Sequence, residues 1–100
     1  MEKVRFGIIG IGNMGTSHCD FFNKNLIENG ILTAIADINP QKIKALKAKM
    51  DIDSHIFYNA EDLINSKKVD AVIIAVPHFF HPELTIKVLN AGLHVVCEKP

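Results

Sequence analysis

The sequence predicts an α/β fold: a doubly wound parallel sheet with strand order 3-2-1-4-5 and helices on both faces, in a three-layer α/β/α arrangement. Short apolar runs alternate with stretches of helical apolar spacing along the chain, and several of those runs are continuous, as in strands buried on both faces. Strict alternation of strands and helices produces a parallel sheet with right-handed crossovers. A ligand crevice is then expected where the carboxyl ends of the first and fourth strands meet.

The first part of the chain predicts a β-α-β unit. Val4 to Ile9 is an apolar run and is expected to form the first strand. From Asn13 to Glu28 the apolar residues recur at helical spacing, and Asn29-Gly30 is a helix stop signal. Ile31 to Ala36 follows as a second buried strand.

The second helix is indicated by Asn39-Pro40, because asparagine caps helices well and proline suits the first helical position. Its expected buried stripe is Ile43, Leu46 and Met50, and its expected solvated face is Lys42, Lys44, Lys47 and Lys49.

The remaining elements are two helices and three strands. They are a strand over Ile56–Tyr58, a short helix capped by Asn59, a central strand over Asp70–Val76, a helix opened by Pro82 that carries Leu84, Val88 and Leu89 and ends at Gly92, and a last strand over His94–Cys97.

Charge and composition exclude several classes of function. Lys plus Arg and Asp plus Glu each number 11, so the formal net charge is zero and there is no basic excess to bind nucleic acid. No apolar run approaches the length of a membrane span. Cys19 and Cys97 form no paired motif, which favours reduced thiols in a cytoplasmic protein.

The run Gly10-Ile11-Gly12-Asn13-Met14-Gly15 follows the first strand and opens a helix, the context in which Gly-x-Gly-x-x-Gly predicts a Rossmann dinucleotide site. The first glycine permits the tight turn, the second lets the backbone approach a pyrophosphate, and the third lets the helix pack on the strand. The N–H groups of Asn13 and Met14 are expected to face the pyrophosphate at the positive end of the helix dipole.

Asp37 ends the second strand, and its carboxylate is suited to accept hydrogen bonds from the adenosine ribose hydroxyls. It would repel a 2′-phosphate, and no arginine follows it directly, so NAD is predicted in preference to NADP. Lys42 is the nearby cation that would favour NADP. Ile38, next to Asp37, is also expected to contact the cofactor.

A second group of polar residues follows the fourth and fifth strands. The fourth is followed by Pro77-His78 and by His81, and the fifth by Glu98-Lys99-Pro100. In a doubly wound sheet both segments reach the edge that carries the glycine turn, beside the expected nicotinamide half of the cofactor.

These two segments, together with the glycine run and Asp37, resemble the amino-terminal domain of the Gfo/Idh/MocA oxidoreductase family. The resemblance covers essentially the whole chain. The resemblance implies that Glu98 contacts the nicotinamide-side ribose and that Lys99 is catalytic, orienting the reacting hydroxyl or carbonyl and stabilising oxyanion charge. It also implies that Val76, Pro77 and His78 line the path of the cofactor, with His81 nearby. The family often has asparagine at the position of His78.

Several of these residues have alternative roles. His81 could cap the helix that follows, and His94 is expected to be packed in the last strand, while His18 and His55 have no motif support. A zinc site of His78, His81, Cys97 and Glu98 has loose spacing, and no metal is predicted. A non-catalytic dinucleotide sensor and a site for S-adenosylmethionine on the same fold are the rival functions.

The expected domain organisation is one dinucleotide-binding Rossmann domain over residues 1–100, truncated and comprising only the cofactor half of an enzyme. The resemblance implies a second domain, outside this chain, that forms the substrate pocket and a homo-oligomer interface. The whole enzyme would then transfer a hydride between the nicotinamide and a secondary alcohol of a sugar, cyclitol or similar polyol. The fragment alone is expected to be inactive, because nothing in it encloses a substrate.

Overall fold

The computed structural model describes residues 3–11, 19, 22, 29–49, 54–75 and 81–97, and for His81 and Cys97 it describes the backbone. The strands are β1 Val4–Ile9, β2 Gly30–Ala36, β3 His55–Phe57, β4 Ala71–Ile74 and β5 His94–Cys97. The helices with described bounds are α1 Pro40–Lys49, α2 Ala60–Ile64 and α3 His81–Asn90. None of the helices within these residues is long and apolar enough to cross a membrane.

The five strands form one parallel sheet in the order β3-β2-β1-β4-β5, which confirms the predicted fold class and strand order. The register aligns the strand ends as well. One row across the sheet runs through Phe57, Ala36, Ile9, Ile74 and Cys97, so each strand has its carboxyl end at the same edge. We call this edge the carboxyl edge.

Several predicted element bounds need correction. β3 ends at Phe57, so Tyr58 lies beyond the strand, and β4 begins at Ala71, after Asp70. α3 begins at His81, one residue before the predicted start. The predicted helix over residues 13–28 falls mostly outside the described residues, although Cys19 and Phe22 are helical.

Two apolar cores cover the two faces of the sheet, as expected for a three-layer fold. The α1-side core consists of Ile8, Ile11, Cys19, Ile35, Ile43, Leu46 and Ile73. The α3-side core consists of Ile9, Ala34, Ala36, Leu63, Ile64, Val69, Val72, Ile74 and Val88. Neighbouring residues of β1 and β4 alternate between the two cores, because successive side chains of a strand point to opposite faces.

Cys19 lies fully buried in the α1-side core. Burial raises the pKa of its thiol to about 12. A thiol that stays protonated is a poor nucleophile, so Cys19 acts as a small apolar core residue.

Both asparagine caps predicted from the sequence are present. The side chain of Asn59 accepts a hydrogen bond from the Asp62 N–H at 2.8 Å, and that of Asn39 accepts one from the Gln41 N–H at 3.0 Å. Pro40 is the first residue of α1, as predicted. Each cap satisfies a backbone donor that the helix leaves free and contributes about 1 kcal/mol.

Two apolar or packed positions predicted from the sequence are exposed instead. Leu89 of α3 is 55% exposed, because Val88 is the residue of that turn that enters the core. His94, expected to be packed in β5, is exposed. Among the described strands β5 has a single neighbour, β4, so its first residue has less of the sheet around it.

An ion pair joins β1 and β4 at the edge of the sheet opposite the carboxyl edge. The Arg5 guanidinium donates to Asp70 Oδ1 at 2.9 Å and to Oδ2 at 3.2 Å, and the Arg5 N–H also donates to Oδ2 at 2.9 Å. The hydrogen bond from the Arg5 side chain holds the pKa of the Asp70 carboxyl below its ordinary value. These bonds join the start of β1 to the start of β4.

β2 contains one residue more than β1 along their common length. Phe6 pairs with Leu32, whereas Gly7 pairs with Ala34, so Thr33 is the extra residue of a β-bulge. Its hydroxyl donates to the Lys68 carbonyl at 2.6 Å. The bulge lets both Leu32 and Ile35 face the α1-side core although they are three positions apart.

Gly7 lies where β1 passes close to the chain that leads into β4. A Cβ at this position would lie 2.8 Å from Val69 Cγ1 and 2.9 Å from Leu63 Cδ2, and both neighbours are buried in the α3-side core. Such distances are shorter than packed carbon atoms tolerate.

Gly7→Ala is therefore expected to lower the free energy of unfolding by about 1–3 kcal/mol, the usual cost of overpacking a core. Urea unfolding monitored by circular dichroism measures this. Combining Gly7→Ala with Val69→Ala should cost less than the sum of the two single changes, because the smaller residue makes room for the new methyl group. A stability equal to that of the wild type, or strict additivity, would contradict this account of the contact.

Candidate functional site

The glycine turn begins directly after β1, at the carboxyl edge. Gly10 has a φ of 99°, a backbone conformation that side chains other than hydrogen rarely allow. Its N–H donates to the Ala36 carbonyl at 2.8 Å, and the Ala75 N–H donates to the Ile9 carbonyl at 2.8 Å. The turn is thus bonded to the end of β2, and the last residue of β1 is bonded to the residue that follows β4.

Asp37 follows β2 and lies beside this turn. Its Oδ2 accepts a hydrogen bond from the Ile11 N–H at 2.7 Å, and its Oδ1 accepts one from the Asn39 N–H at 2.8 Å. The residue is only 9% exposed. The two bonds compensate for removing the carboxylate from water, and they join the glycine turn to the start of α1.

The carboxylate has more acceptor sites than its described partners use. Two carboxylate oxygens offer about four acceptor sites, and among the described residues the N–H groups of Ile11 and Asn39 use two of them. A buried carboxylate next to a turn that requires glycine suits a ribose diol attached to a pyrophosphate. The described residues therefore fit a dinucleotide cofactor.

The sequence did not predict the bond between Asp37 and Ile11. Its donor is a backbone N–H, which every residue except proline carries, and the two residues are far apart in the chain. The only available signal was the register of β1 and β2, which becomes known only with the bulge at Thr33.

The structure brings four of the predicted site residues together at the carboxyl edge: Gly10, Ile11, Asp37 and Ile38. Ile11 belongs to the α1-side core, and Ile38 is 84% exposed. His81 is the first residue of α3. The other predicted site residues lie outside the described residues; they are Gly12, Asn13, Met14, Gly15, Val76, Pro77, His78, Glu98 and Lys99.

The sequence also drew attention to a lysine near Asp37 and to a group of potential zinc ligands. Lys42, the cation near Asp37 in sequence, is exposed on the first turn of α1. Within the described part of the chain, no three His, Cys, Asp or Glu side chains lie close enough together to hold a metal ion. The side chains weighed for a zinc site, those of His78, His81, Cys97 and Glu98, are not among those described.

Comparison with known families identifies the chain. The model of the oxidoreductase family with an NAD-binding Rossmann fold, GFO_IDH_MocA, matches residues 4–100. The chain belongs to this family. Membership confirms the resemblance predicted from the motifs and the NAD-binding class of the site, and it favours an oxidoreductase over a non-catalytic sensor.

Individual relatives agree with the family. The chain is 39% identical over 100 residues to inositol 2-dehydrogenase of Corynebacterium glutamicum and 35% identical over 97 residues to myo-inositol 2-dehydrogenase of Thermotoga maritima. These alignments cover 99% and 97% of the chain, but only 29% and 28% of the relatives. The chain thus spans less than a third of the length of these proteins.

Solved structures show the same fold. The crystal structure of scyllo-inositol dehydrogenase from Lactobacillus casei with bound NAD(H) and scyllo-inositol has a TM-score of 0.87 at 29% identity, with 99% of this chain and 28% of that chain covered. The WlbA dehydrogenase from Bordetella pertussis, in complex with NADH and UDP-GlcNAcA, has a TM-score of 0.86 at 32% identity, with 99% and 29% covered.

Asp37→Asn is expected to destabilise the protein even without cofactor. An amide keeps one acceptor oxygen but turns an NH₂ group toward the second backbone N–H, so one buried donor loses its partner. The expected loss is about 1–3 kcal/mol in the free energy of unfolding.

Urea unfolding of the cofactor-free protein measures this loss. Asp62→Asn is the matched control, because Asp62 is exposed in the first turn of α2 and its replacement should cost less than about 1 kcal/mol. If Asp37→Asn were as stable as the wild type, Asp37 would not hold the glycine turn.

Proposed function

We propose that this chain forms the NAD-binding part of a dehydrogenase that oxidises a secondary alcohol of a polyol, with inositols or related cyclitols and sugars as the substrate class. The observation that carries the proposal is the buried Asp37 carboxylate bonded to the turn after β1, in a chain of an NAD-binding oxidoreductase family. The names of the inositol dehydrogenases among its relatives support the substrate class.

In the proposed complex, the adenosine half of the cofactor lies over the ends of β1 and β2. Asp37 accepts hydrogen bonds from the ribose hydroxyls through the lone pairs that Ile11 and Asn39 leave free. The backbone N–H groups from Gly12 to Gly15 would hold the pyrophosphate at a helix N-terminus. The carboxylate repels a 2′-phosphate, so the proposed cofactor is NAD rather than NADP.

The nicotinamide half would lie over the ends of β4 and β5. Ile74 and Cys97 end these strands in the same row as Ile9, and the predicted contact residues follow each of them in sequence. The predicted contacts after β4 are Val76, Pro77, His78 and His81, and the predicted contact after β5 is Glu98.

Lys99 is the proposed catalytic residue. When bound, the nicotinamide supplies the acceptor or donor for a hydride. The Lys99 ammonium would orient the reacting hydroxyl, stabilise negative charge on its oxygen and assist the movement of its proton.

We further propose that the whole protein has a second domain that encloses the substrate and carries a homo-oligomer interface. The relatives, more than three times as long as this chain, support the second domain. A cytoplasmic location stays a prediction that rests on cysteine usage.

The proposed cofactor preference predicts that NADH binds at least about tenfold more tightly than NADPH, because a 2′-phosphate would be forced against a buried carboxylate. Isothermal titration calorimetry of the protein with each cofactor measures both affinities. If Lys42 contacts the 2′-phosphate, Lys42→Ala should lower the affinity for NADPH more than the affinity for NADH. NADPH binding as tight as NADH binding would disprove the role given to Asp37.

The proposed catalytic role predicts that Lys99→Ala, in the whole enzyme, lowers kcat about 100-fold or more and leaves NADH affinity nearly unchanged. Steady-state assays with an inositol and NAD, together with NADH titration, separate the two effects. Lys49→Ala, at the exposed end of α1, is the matched control and should alter neither. Unchanged turnover would remove Lys99 from the reaction. If the whole protein bound NADH but oxidised no polyol, the result would favour the rival function of a non-catalytic dinucleotide sensor.

A further inference from the structure

Two large apolar side chains are exposed at the carboxyl edge beside Asp37. Ile38 is 84% exposed and Tyr58 is 53% exposed. The other exposed large apolar residues in the described part of the chain lie in β1, β2, α3 and β5. Of these two residues, Ile38 was predicted to contact the cofactor and Tyr58 was not.

The backbone places Tyr58 next to Asp37. The Asp37 N–H donates to the Phe57 carbonyl at 3.2 Å, so Tyr58 leaves β3 at the level where Asp37 leaves β2. Asn59, the next residue, is fixed by its bonds to Asp62 at the start of α2. Tyr58 is thus held between a paired strand and a capped helix, on a backbone that is set before any ligand binds.

Tyr58 is less buried than the two residues before it. Ile56 and Phe57 are partly buried and pack against the α1-side and α3-side cores respectively, whereas Tyr58 is an exposed residue. A residue just before a helix cap can pack on the fourth residue of that helix, here Leu63, but 53% of the surface of Tyr58 remains exposed.

The chemistry of the neighbouring Asp37 identifies a ligand for this ring. If Asp37 binds the adenosine ribose, the adenine base on the same ribose lies within a few bonds of the carboxylate. A purine has two apolar π faces that favour aromatic and aliphatic surfaces, and Ile38 and Tyr58 expose such surfaces at this edge.

We propose that Tyr58 is a binding residue for the adenine base of the dinucleotide, and that it forms this subsite together with Ile38. The inference rests on the proposed function, because it takes Asp37 as the ribose acceptor. Tyr58 contributes to the affinity for the adenosine half of the cofactor and touches no reacting atom.

The chain offers a direct probe, because Tyr58 is its single tyrosine. In protein labelled on tyrosine rings, one set of ring signals reports on this residue in nuclear magnetic resonance spectra. Stacking on adenine should shift these signals upfield during titration with AMP or NADH. Nicotinamide mononucleotide, which lacks adenine, should leave them in place.

Substitutions provide the second measurement. Tyr58→Ala should weaken AMP and NADH binding about tenfold, the loss expected for one base–aromatic contact, and leave nicotinamide mononucleotide binding unchanged. Tyr58→Phe, which keeps the ring, should restore most of the affinity. Ile86→Ala is the matched control, because Ile86 is 58% exposed on α3, and it should change none of these affinities.

The outcomes separate this inference from the proposed function. Two outcomes would overturn the adenine subsite alone. In the first, the wild type binds NADH but the Tyr58 ring signals do not move. In the second, Tyr58→Ala binds NADH as tightly as the wild type does. An equal loss of affinity for all three ligands in Tyr58→Ala would also overturn it, since it would indicate a general structural effect. A wild type that binds neither NADH nor AMP would overturn both. If Tyr58→Ala did not fold, the ring signals of the wild type would still decide.

Discussion

The parallel register of the sheet is the constraint on which the rest of the molecule depends. Because all five strands run the same way and end in one row, the residues after β1, β2 and β3 meet at one edge although they are distant in sequence. An antiparallel neighbour would carry its loop to the opposite edge. The turn at Gly10, the carboxylate of Asp37 and the ring of Tyr58 share a surface for this reason.

In the proposed complex, the group that binds the cofactor at this edge also contributes to the fold. Asp37 loses much of its hydration on folding, and the N–H groups of Ile11 and Asn39 compensate for that loss. If Asp37 binds the ribose as proposed, this acceptor is in place before the cofactor arrives, so less ordering is needed on binding. Changes made at Asp37 to alter cofactor choice would then also act on the fold.

The sequence predicted the features that depend on local chemistry. Asn39, Pro40 and Asn59 occupy the predicted helix starts, because a cap is formed within a few residues. Strand order followed from the alternation of elements and the handedness of crossovers. The exposure of residues in the outermost strands was predicted less well. His94 has the pattern of a buried strand residue, but it lies in β5, which pairs on one side only within the described residues.

The site could be predicted in type but not in its contacts. Gly10 and Asp37 were predicted because their residue types are needed at those points of a dinucleotide site, and the structure places both at the carboxyl edge. The bond from Ile11 to Asp37 was not predicted, since a backbone donor leaves no mark in the sequence. Tyr58, the proposed adenine contact, was assigned to β3 because it continues the apolar run, and only the structure shows that the strand ends before it.

The bulge at Thr33 has a consequence for how this chain can vary. Upstream of the bulge Phe6 pairs with Leu32, and downstream of it Gly7 pairs with Ala34, so the register of the two strands shifts by one residue at Thr33. Each strand residue spans about 3.3 Å and successive side chains face opposite ways, so a residue inserted between Thr33 and Asp37 would displace the carboxylate from the Ile11 N–H. Loss of Thr33 would instead restore a regular ladder and leave the end of β2 in place. The molecule should therefore accept many substitutions between the bulge and Asp37 but no added residue there.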